Sequence, residues 1–252
     1  MIAAIMQPTF LPWIGYFDLI DQADIFVFLD TVQFEKQSWQ QRNRVRTPKG
    51  LEWLTIPVFI TGRFGQTIRE VEIKADAFPD KQIKTLQQHY SKTPYFNDYW
   101  PELEAILLSA KEGKFLAKLN MAIICWLAGR LGISSRFVLA SDLNVEDHRS
   151  ERLVGILKNI GADRYLSPVG SMAYLIQDRE VFSRAGIPIL LHTFVHPEYT
   201  QRYAPFEIGA SAIDMLFNEG ATGTAGLMRS GRRVPERFED AVEKKKDTVH
   251  AH

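Results

Sequence analysis

The sequence contains almost no cysteine, no excess of either charge and no long hydrophobic run. Cys125 is the only cysteine among 252 residues, which excludes an internal disulfide framework and zinc sites built from several cysteines. The 30 Lys and Arg residues balance the 30 Asp and Glu residues, so the chain has no overall field for phosphates and we expect no nucleic-acid partner. Charged residues interrupt each apolar run before the roughly 18 residues that a membrane-spanning helix needs, so we expect no membrane span.

The amino terminus lacks the features of a secretory signal peptide. No basic residue precedes the short apolar run Ile2–Met6, and Pro8 and Pro12 interrupt any longer apolar core. Hydrophobic residues make up 46% of the chain, which is enough apolar surface to offset the entropy that is lost on folding. We therefore expect a folded, cytoplasmic protein.

A strand, a helix and a second strand are predicted within the first 30 residues. Ile2–Met6 is apolar, Trp13–Ile20 has apolar residues at helical spacing, and Ile25–Leu29 is β-branched and aromatic. This order is typical of a βαβ unit, so the two strands are expected to be parallel neighbours. In such sheets, ligands bind beyond the carboxyl ends of the strands.

The whole pattern predicts an α/β fold with a mainly parallel sheet, flanking helices, a β-hairpin insertion and a helical middle section. The hairpin is expected to join Leu51–Phe59 to Thr67–Ile73. The predicted helices beyond the first span residues 78–90, 95–108, 114–131, 147–160 and 173–182. Residues 1–228 are predicted to form a single domain, and residues 229–252 a charged, partly mobile tail.

Polar, cationic and aromatic residues gather at or just after the predicted ends of the first two strands. They are Gln7, Thr9, Trp13, Tyr16, Asp30, Gln33, Lys36, Trp39, Arg42 and Asn43. Guanidinium and amide groups bind phosphate and sugar oxygens, and indole rings stack on flat ligand faces, so the group predicts a site for a phosphorylated or nucleotide-linked substrate. The residues expected to line one cleft are Gln7, Asp30, Gln33, Arg42 and Asn43. The alternative is a solvated loop with Trp39 packed on the core.

A second group follows the predicted strand Pro188–Leu191. His196 is the predicted general base, because imidazole titrates near neutral pH, and Tyr199 has a hydroxyl that is able to bind a ligand or donate a proton. We expect both in the same cleft as Arg42, although a structural role for His196 stays open. The predicted catalytic residues are Asp30, His196 and Tyr199. No third ligand accompanies the two histidines of this region, so no metal is predicted, and the cofactor is left open.

Two further residues complete the predicted substrate-binding set. Gln201 follows Tyr199 closely, and Ser167 begins a short segment between a strand and a helix. The N–H groups of that segment are able to cradle an anion or a carbonyl oxygen. The alternative is ordinary capping of the next helix by Ser171.

Six segments carry a family resemblance. They are Met6–Phe17, Phe28–Phe34, Trp39–Arg44, Gly161–Ser167, His196–Gln201 and Ile213–Gly220. With these segments the chain resembles the WbqC-like protein family. The resemblance implies an enzyme encoded with bacterial surface-polysaccharide genes, such as those for the O-antigen of lipopolysaccharide, often beside sugar aminotransferases. A nucleotide-sugar is then the expected small-molecule partner, and an oligomer is compatible with the sequence.

Three functions are open at this stage. The first is a transferase that acylates or aminoacylates the amine of a nucleotide-activated amino sugar, with His196 as its base. Lys36, Arg42 and Asn43 would hold the diphosphate. The second is an adenylating or nucleotidyl-transferring enzyme of the HxGH type, because Trp13–Tyr16 lies where that turn would lie, although both histidines are missing. The third is a non-catalytic binding or scaffold protein of a biosynthetic complex.

Overall fold

The structure is a computed structural model that describes residues 1–250, including the side chains of residues 1–244. The end of the predicted tail, residues 251–252, lies outside the described residues. The strands are β1 Ile2–Met6, β2 Ile25–Phe28, β3 Arg42–Thr47, β4 Gly50–Thr55, β5 Arg136–Leu139, β6 Arg164–Pro168, β7 Ile189–His192 and β8 Glu236–Arg237. The α-helices are α1 Ile14–Asp21, α2 Asp80–Tyr90, α3 Phe96–Gly113, α4 Leu116–Arg130, α5 Arg149–Asn159, α6 Met172–Gln177, α7 Arg179–Ala185, α8 Ala212–Gly231 and α9 Phe238–His250.

Six strands form the main sheet, in the order β5-β2-β1-β6-β7-β8. The first five are parallel, and β8 pairs with β7 in the antiparallel direction. Ala3 lies opposite Ile25 and Met6 lies opposite Phe28, so the first two strands are parallel neighbours as predicted. The predicted α/β fold class is confirmed, and the carboxyl ends of five strands open on one edge of the sheet.

Both faces of this sheet are covered, because successive residues of each strand point to opposite faces and both sets are apolar. Ala4 and Phe26 enter a core that they share with α1, α3, α4 and α8. Ala3 and Ile25 enter a second core, with α5, α6, α7 and α9 on the other face. The hairpin lies on the side of the first core, to which Val45 and Leu54 contribute.

The hairpin begins earlier in the chain than predicted. β3 and β4 pair antiparallel from Arg42↔Thr55 to Thr47↔Gly50 and form a separate two-stranded sheet. The segment Thr67–Ile73, predicted as the second strand, makes only isolated bridges within the described chain, such as Val58↔Ile73. The three arginines of β3 gave the stretch the composition of a loop, but they alternate with inward-facing residues as a strand requires.

The carboxyl-terminal third differs from the predicted pattern in two places. The predicted helix over 173–182 is divided into α6 and α7 at Asp178, whose carboxylate accepts a hydrogen bond of 2.6 Å from the Ser150 hydroxyl. In the segment predicted as a tail, β8 extends the sheet, and Phe238 of α9 is buried in the second core. No helix within residues 1–250 is long and apolar enough to cross a membrane.

Candidate active site

Three arginines of β3 define the cationic face of the hairpin. Arg42, Arg44 and Arg46 alternate along the strand, so they project to the same face. Their cross-strand neighbours on β4 are Thr55, Trp53 and Leu51. Arg42 and Arg44 are partly exposed, whereas Arg46 is only 1% exposed. The positive charge therefore runs from the surface into the protein along one strand.

The outer end of this face is aromatic, and we call its residues Trp39, Arg42, Arg44 and Trp53 the hairpin platform. The guanidinium of Arg42 lies 4.2 Å from the centre of the Trp53 ring, and that of Arg44 lies 5.8 Å from the Trp39 ring. The two indole rings are 5.1 Å apart, and each residue is about half exposed, at 48% for Trp39 and 47% for Trp53. The two rings are tilted by 47° to each other, and with the two cations they present apolar surface and positive charge to solvent.

The inner end of the face is buried and fully bonded. The Arg46 guanidinium donates to the carbonyl oxygens of Tyr203 and Pro205, at 3.0 and 2.7 Å, and pairs with Glu207 at 3.3 Å. Its Nε donates to Oε1 of Gln201 at 3.3 Å. A buried guanidinium is tolerated only when it is paired in this way, so Arg46 fixes the 201–207 loop against the hairpin.

Gln201 connects Arg46 to a buried carboxyl group. Its Nε2 donates to the Tyr199 hydroxyl at 3.1 Å and to Oδ2 of Asp214 at 3.2 Å. The Tyr199 hydroxyl donates to the same Asp214 oxygen at 2.5 Å. Burial raises the pKa of Asp214, and burial together with the Asp214 charge raises the pKa of Tyr199. Tyr199 therefore keeps its proton at neutral pH and directs it to Asp214.

His196 is stacked between two aromatic rings and has one ring nitrogen fixed. Its ring lies 6.1 Å from the Trp13 ring and 6.2 Å from the Tyr199 ring, with interplanar angles of 16° and 25°. Nδ1 lies 2.8 Å from the carbonyl oxygen of Pro197, and a carbonyl can only accept, so Nδ1 carries the proton. Burial lowers the pKa of His196, so at neutral pH the ring is neutral and Nε2 keeps its lone pair.

Backbone contacts join Trp13, the hairpin and the start of α8. Trp13 forms an antiparallel bridge with Ser211, and the Ser211 N–H donates to the Arg44 carbonyl at 2.9 Å. Three segments that are distant in sequence therefore lie side by side. Through them His196 and Tyr199 lie in one contact network with the cationic face of the hairpin. That these residues line one ligand-binding cleft stays a prediction.

The Trp13 ring also covers the first turn of α1. A Cβ atom built on Gly15 would lie 2.4 Å from the Trp13 ring, closer than any real contact. We expect Gly15→Ala to displace this ring and to shift the Trp13 indole N–H signal in a ¹H–¹⁵N NMR spectrum. Gly129→Ala is the matched control, because it also lies near the end of a helix and its Cβ would meet nothing within 4 Å. The control should gain up to about 1 kcal/mol of stability from helix propensity. An equal gain for Gly15→Ala, with an unshifted indole signal, would contradict this packing.

Four predicted residues of the first group belong to the framework beneath Trp13. Gln7 accepts a hydrogen bond from Gln40 at 2.8 Å, and its carbonyl accepts one from the buried Tyr16 hydroxyl at 3.0 Å. The buried Asn43 side chain donates to the Phe10 carbonyl at 3.0 Å. The Thr9 hydroxyl oxygen is buried without a described hydrogen-bond partner. The bonded groups hold the β1–α1 segment against the hairpin.

Asp30 lies on the other side of the sheet edge, beyond β2 and β5. It is buried, accepts a hydrogen bond of 3.0 Å from the Ser141 N–H, and lines a cavity of about 500 Å³ with Arg69 and Lys118. None of the other predicted site residues lines this cavity. Gln33 and Lys36 are exposed, and Gln33 forms an isolated bridge with Thr67.

Ser167 and His192 are buried where β6 and β7 end. Ser167 is fully buried, and its hydroxyl has no hydrogen-bond partner among the described residues. His192 Nε2 lies 2.8 Å from Oδ2 of Asp18, whose other oxygen accepts from Arg232 at 2.8 Å. His192 therefore anchors α1 to the sheet. Among the described residues, no group of three or more His, Cys, Asp or Glu side chains is arranged to hold a metal ion.

Sequence reasoning missed Arg44, Arg46, Trp53 and Asp214 as candidate site residues. The alternation of arginines at 42, 44 and 46 was the available signal for the first two, because a period of two is that of a strand. Asp214 was visible only as part of the segment Ile213–Gly220, since nothing in its local sequence indicates that Tyr199 and Gln201 reach it.

The fold and the site together define an α/β protein with a mainly parallel sheet and an aromatic, cationic site beside its first and last parallel strands. Residues 7–225 match the WbqC-like protein family, and the chain belongs to that family. It is 34% identical over 219 residues to the uncharacterized protein Rv1507c of Mycobacterium tuberculosis (strain ATCC 25618 / H37Rv). That alignment covers 86% of this chain and 94% of the relative. No solved structure matches the chain.

Proposed function

We propose that the protein is a transferase of bacterial surface-polysaccharide biosynthesis, which acylates or aminoacylates the amine of a nucleotide-activated amino sugar. The observation that carries this proposal is the state of His196. Its Nδ1 proton is held by the Pro197 carbonyl, its lowered pKa keeps the ring neutral, and no described residue is hydrogen bonded to Nε2. A half-buried imidazole in this state is suited to accept a proton.

In the proposed reaction the sugar amine attacks the carbonyl carbon of an activated acyl donor. A bond forms between that carbon and the amine nitrogen, Nε2 of His196 takes a proton from the nitrogen, and the donor's leaving group departs. Tyr199 packs against the imidazole and is itself fixed by Asp214 and Gln201, so it orients the base. The Trp13 ring also stacks with the imidazole and helps to fix its orientation.

The HxGH-type alternative gains no support from the first turn of α1. Nucleotidyl transfer at such a turn needs the helix N-terminus to be open to phosphate. Here the Trp13 ring packs on Gly15, and the two histidines of that signature are absent. The geometry therefore favours His196 as the reacting group.

Mass spectrometry is expected to detect an amide product when the protein is incubated with uridine-diphosphate amino sugars and acyl-coenzyme A donors, or with amino acids and ATP. A thermal-shift screen with the same compounds identifies the pair to test first. Exchange of pyrophosphate into ATP without any sugar, and with no amide product when the sugar is added, would instead support an adenylating enzyme. Binding without product or exchange across the donor classes would overturn the transferase proposal in favour of a binding or scaffold protein.

A further inference from the structure

Arg42 and Arg44 of the hairpin platform form no ion pair with a described residue. Among the described residues, neither guanidinium has a carboxylate within ion-pairing distance, whereas Arg46 is paired with Glu207 and Arg63 with Glu72. The Nε atoms of Arg42 and Arg44 are also buried without a hydrogen-bond partner. Nη2 of Arg44 donates to the Gly209 carbonyl at 3.3 Å, and the other guanidinium nitrogens of the pair have no described acceptor. Because an unpartnered polar group is costly, the pair is suited to bind an anionic ligand.

The same two cations lie against two exposed indole rings. Trp53 sits directly across the strand pair from Arg44, and its ring contacts both Arg42 and Trp39. Half-exposed Trp rings leave apolar surface in water, and positive charge lies beside it. The two rings are tilted by 47° to each other, so a flat ligand ring stacks on one of them. A ligand that covers this surface favourably needs a flat ring system and an adjoining anionic group.

We propose that the hairpin platform binds a nucleoside diphosphate, with the base stacked on the Trp53 ring beside Trp39 and the phosphate oxygens bonded to Arg42 and Arg44. The inference rests on the proposed function in taking this nucleotide to be the carrier of the sugar. The inference also changes the residues expected to bind the nucleotide. Asn43 is buried and bonded to the main chain, so Arg44 takes its place beside Arg42 at the diphosphate, and Trp53 is added at the base.

The position of the platform fits a ligand that extends toward His196. A strand rises about 3.3 Å per residue, so Arg46 lies about 13 Å along β3 from Arg42. Arg46 is joined through Gln201 to Tyr199, which packs on His196. That inner end is filled by Arg46 and the 201–207 loop, so the sugar would extend past Trp13 instead. Trp13 stacks with His196 and bridges Ser211, which lies next to Arg44.

Isothermal titration calorimetry of the full chain with UDP tests the platform without requiring turnover. We expect Arg42→Gln to raise the Kd for UDP by about tenfold, since it removes a charge-assisted hydrogen bond. Trp53→Leu should raise it about fivefold or more through lost base stacking. Uridine alone should depend on Trp53 and inorganic pyrophosphate on Arg42, which separates the two halves of the proposed ligand.

Two matched controls lie outside the platform. Arg63→Gln removes an arginine that also contacts an aromatic ring, Phe59 at 5.2 Å, but has Glu72 as its partner. Phe64→Leu removes an aromatic ring that is 98% exposed. Both should leave the Kd for UDP unchanged, and thermal unfolding of all four variants should show that they remain folded.

The possible results separate this inference from the proposed function. UDP binding that is weakened by Arg42→Gln and Trp53→Leu but not by the controls would support the platform, even if no transfer occurs. Equal binding by all variants would overturn the platform and leave the transferase proposal standing. Formation of the amide product by a protein that does not bind UDP would show that the sugar carrier is not a nucleoside diphosphate recognised here.

Discussion

His196→Ala is expected to lower the rate of the transfer reaction by about 10²–10⁴-fold while the protein stays folded. The substitution removes the only imidazole in the described network that joins Trp13, Tyr199 and the cationic face of the hairpin. The remaining groups of the network offer no free base near neutral pH, because Tyr199 is protonated and Asp214 is buried behind it. Steady-state rates with the best donor and sugar from the screen measure the loss.

His89→Ala is the matched control for this prediction. His89 is also half-buried, also packs against a tyrosine ring, Tyr203 at 6.4 Å, and burial also lowers its pKa. It makes no contact with His196 or Tyr199, so its removal should change the rate no more than about threefold. Full activity of His196→Ala would end the catalytic assignment, and a lowered melting temperature with full activity would assign His196 a structural role.

The pH profile should carry the signature of a base with a lowered pKa. As the proposed base, His196 would act only when Nε2 is unprotonated, so kcat/KM should be constant near neutral pH and fall on the acid side. Because burial lowers the pKa of His196, the fall should begin below the ordinary value of about 6.5 and approach tenfold per pH unit. An acid limb that begins above pH 7 would point to another group.

The parallel sheet was predictable because its strands obey simple rules of burial. β1 and β2 are short apolar segments separated by one helix, and a crossover of this length places them in parallel. The start of the hairpin was not predictable from composition alone, since the charges of Arg42, Arg44 and Arg46 are those of a loop. Tertiary contacts with Tyr203, Pro205 and Glu207 allow the strand to keep a buried arginine.

The site was predictable only in its parts. His196 and Tyr199 follow a buried strand, and Trp13 follows another, so each was a candidate on its own. The long-range contacts that make them a network join residues 155 to 198 positions apart, from Arg46 with Gln201 to Trp13 with Ser211. Such pairs have no local signature in one sequence. The same holds for Asp214, whose burial and partners are set by the packing of α8.

Asp18→Ala is expected to destabilise the protein by about 3–5 kcal/mol, because it removes one partner of a buried charge cluster. Asp18 is fully buried and accepts hydrogen bonds of 2.8 Å from both His192 and Arg232. Arg232 also pairs with Asp21, which in turn pairs with Arg229 at 3.1 Å. Without Asp18, the His192 ring is left buried with an unpaired nitrogen. Urea denaturation should show the loss as a lower midpoint with an unchanged slope.

Asp80→Ala provides the control, since Asp80 forms an exposed ion pair with Lys111 at 3.1 Å and its loss should cost about 0–1 kcal/mol. A cost for Asp18→Ala as small as that of the control would mean that the cluster is solvated and does not hold the fold.

The cluster also connects the Trp13 part of the candidate site to the His196 part. Asp18 belongs to α1, whose first turn carries the Trp13 ring, and His192 ends the strand that leads to His196. Asp18→Asn keeps the shape but removes the charge, so it should retain more stability than Asp18→Ala. Any shift of the Trp13 indole signal in that folded variant would then show that the buried charge also sets the stacking of Trp13 on His196.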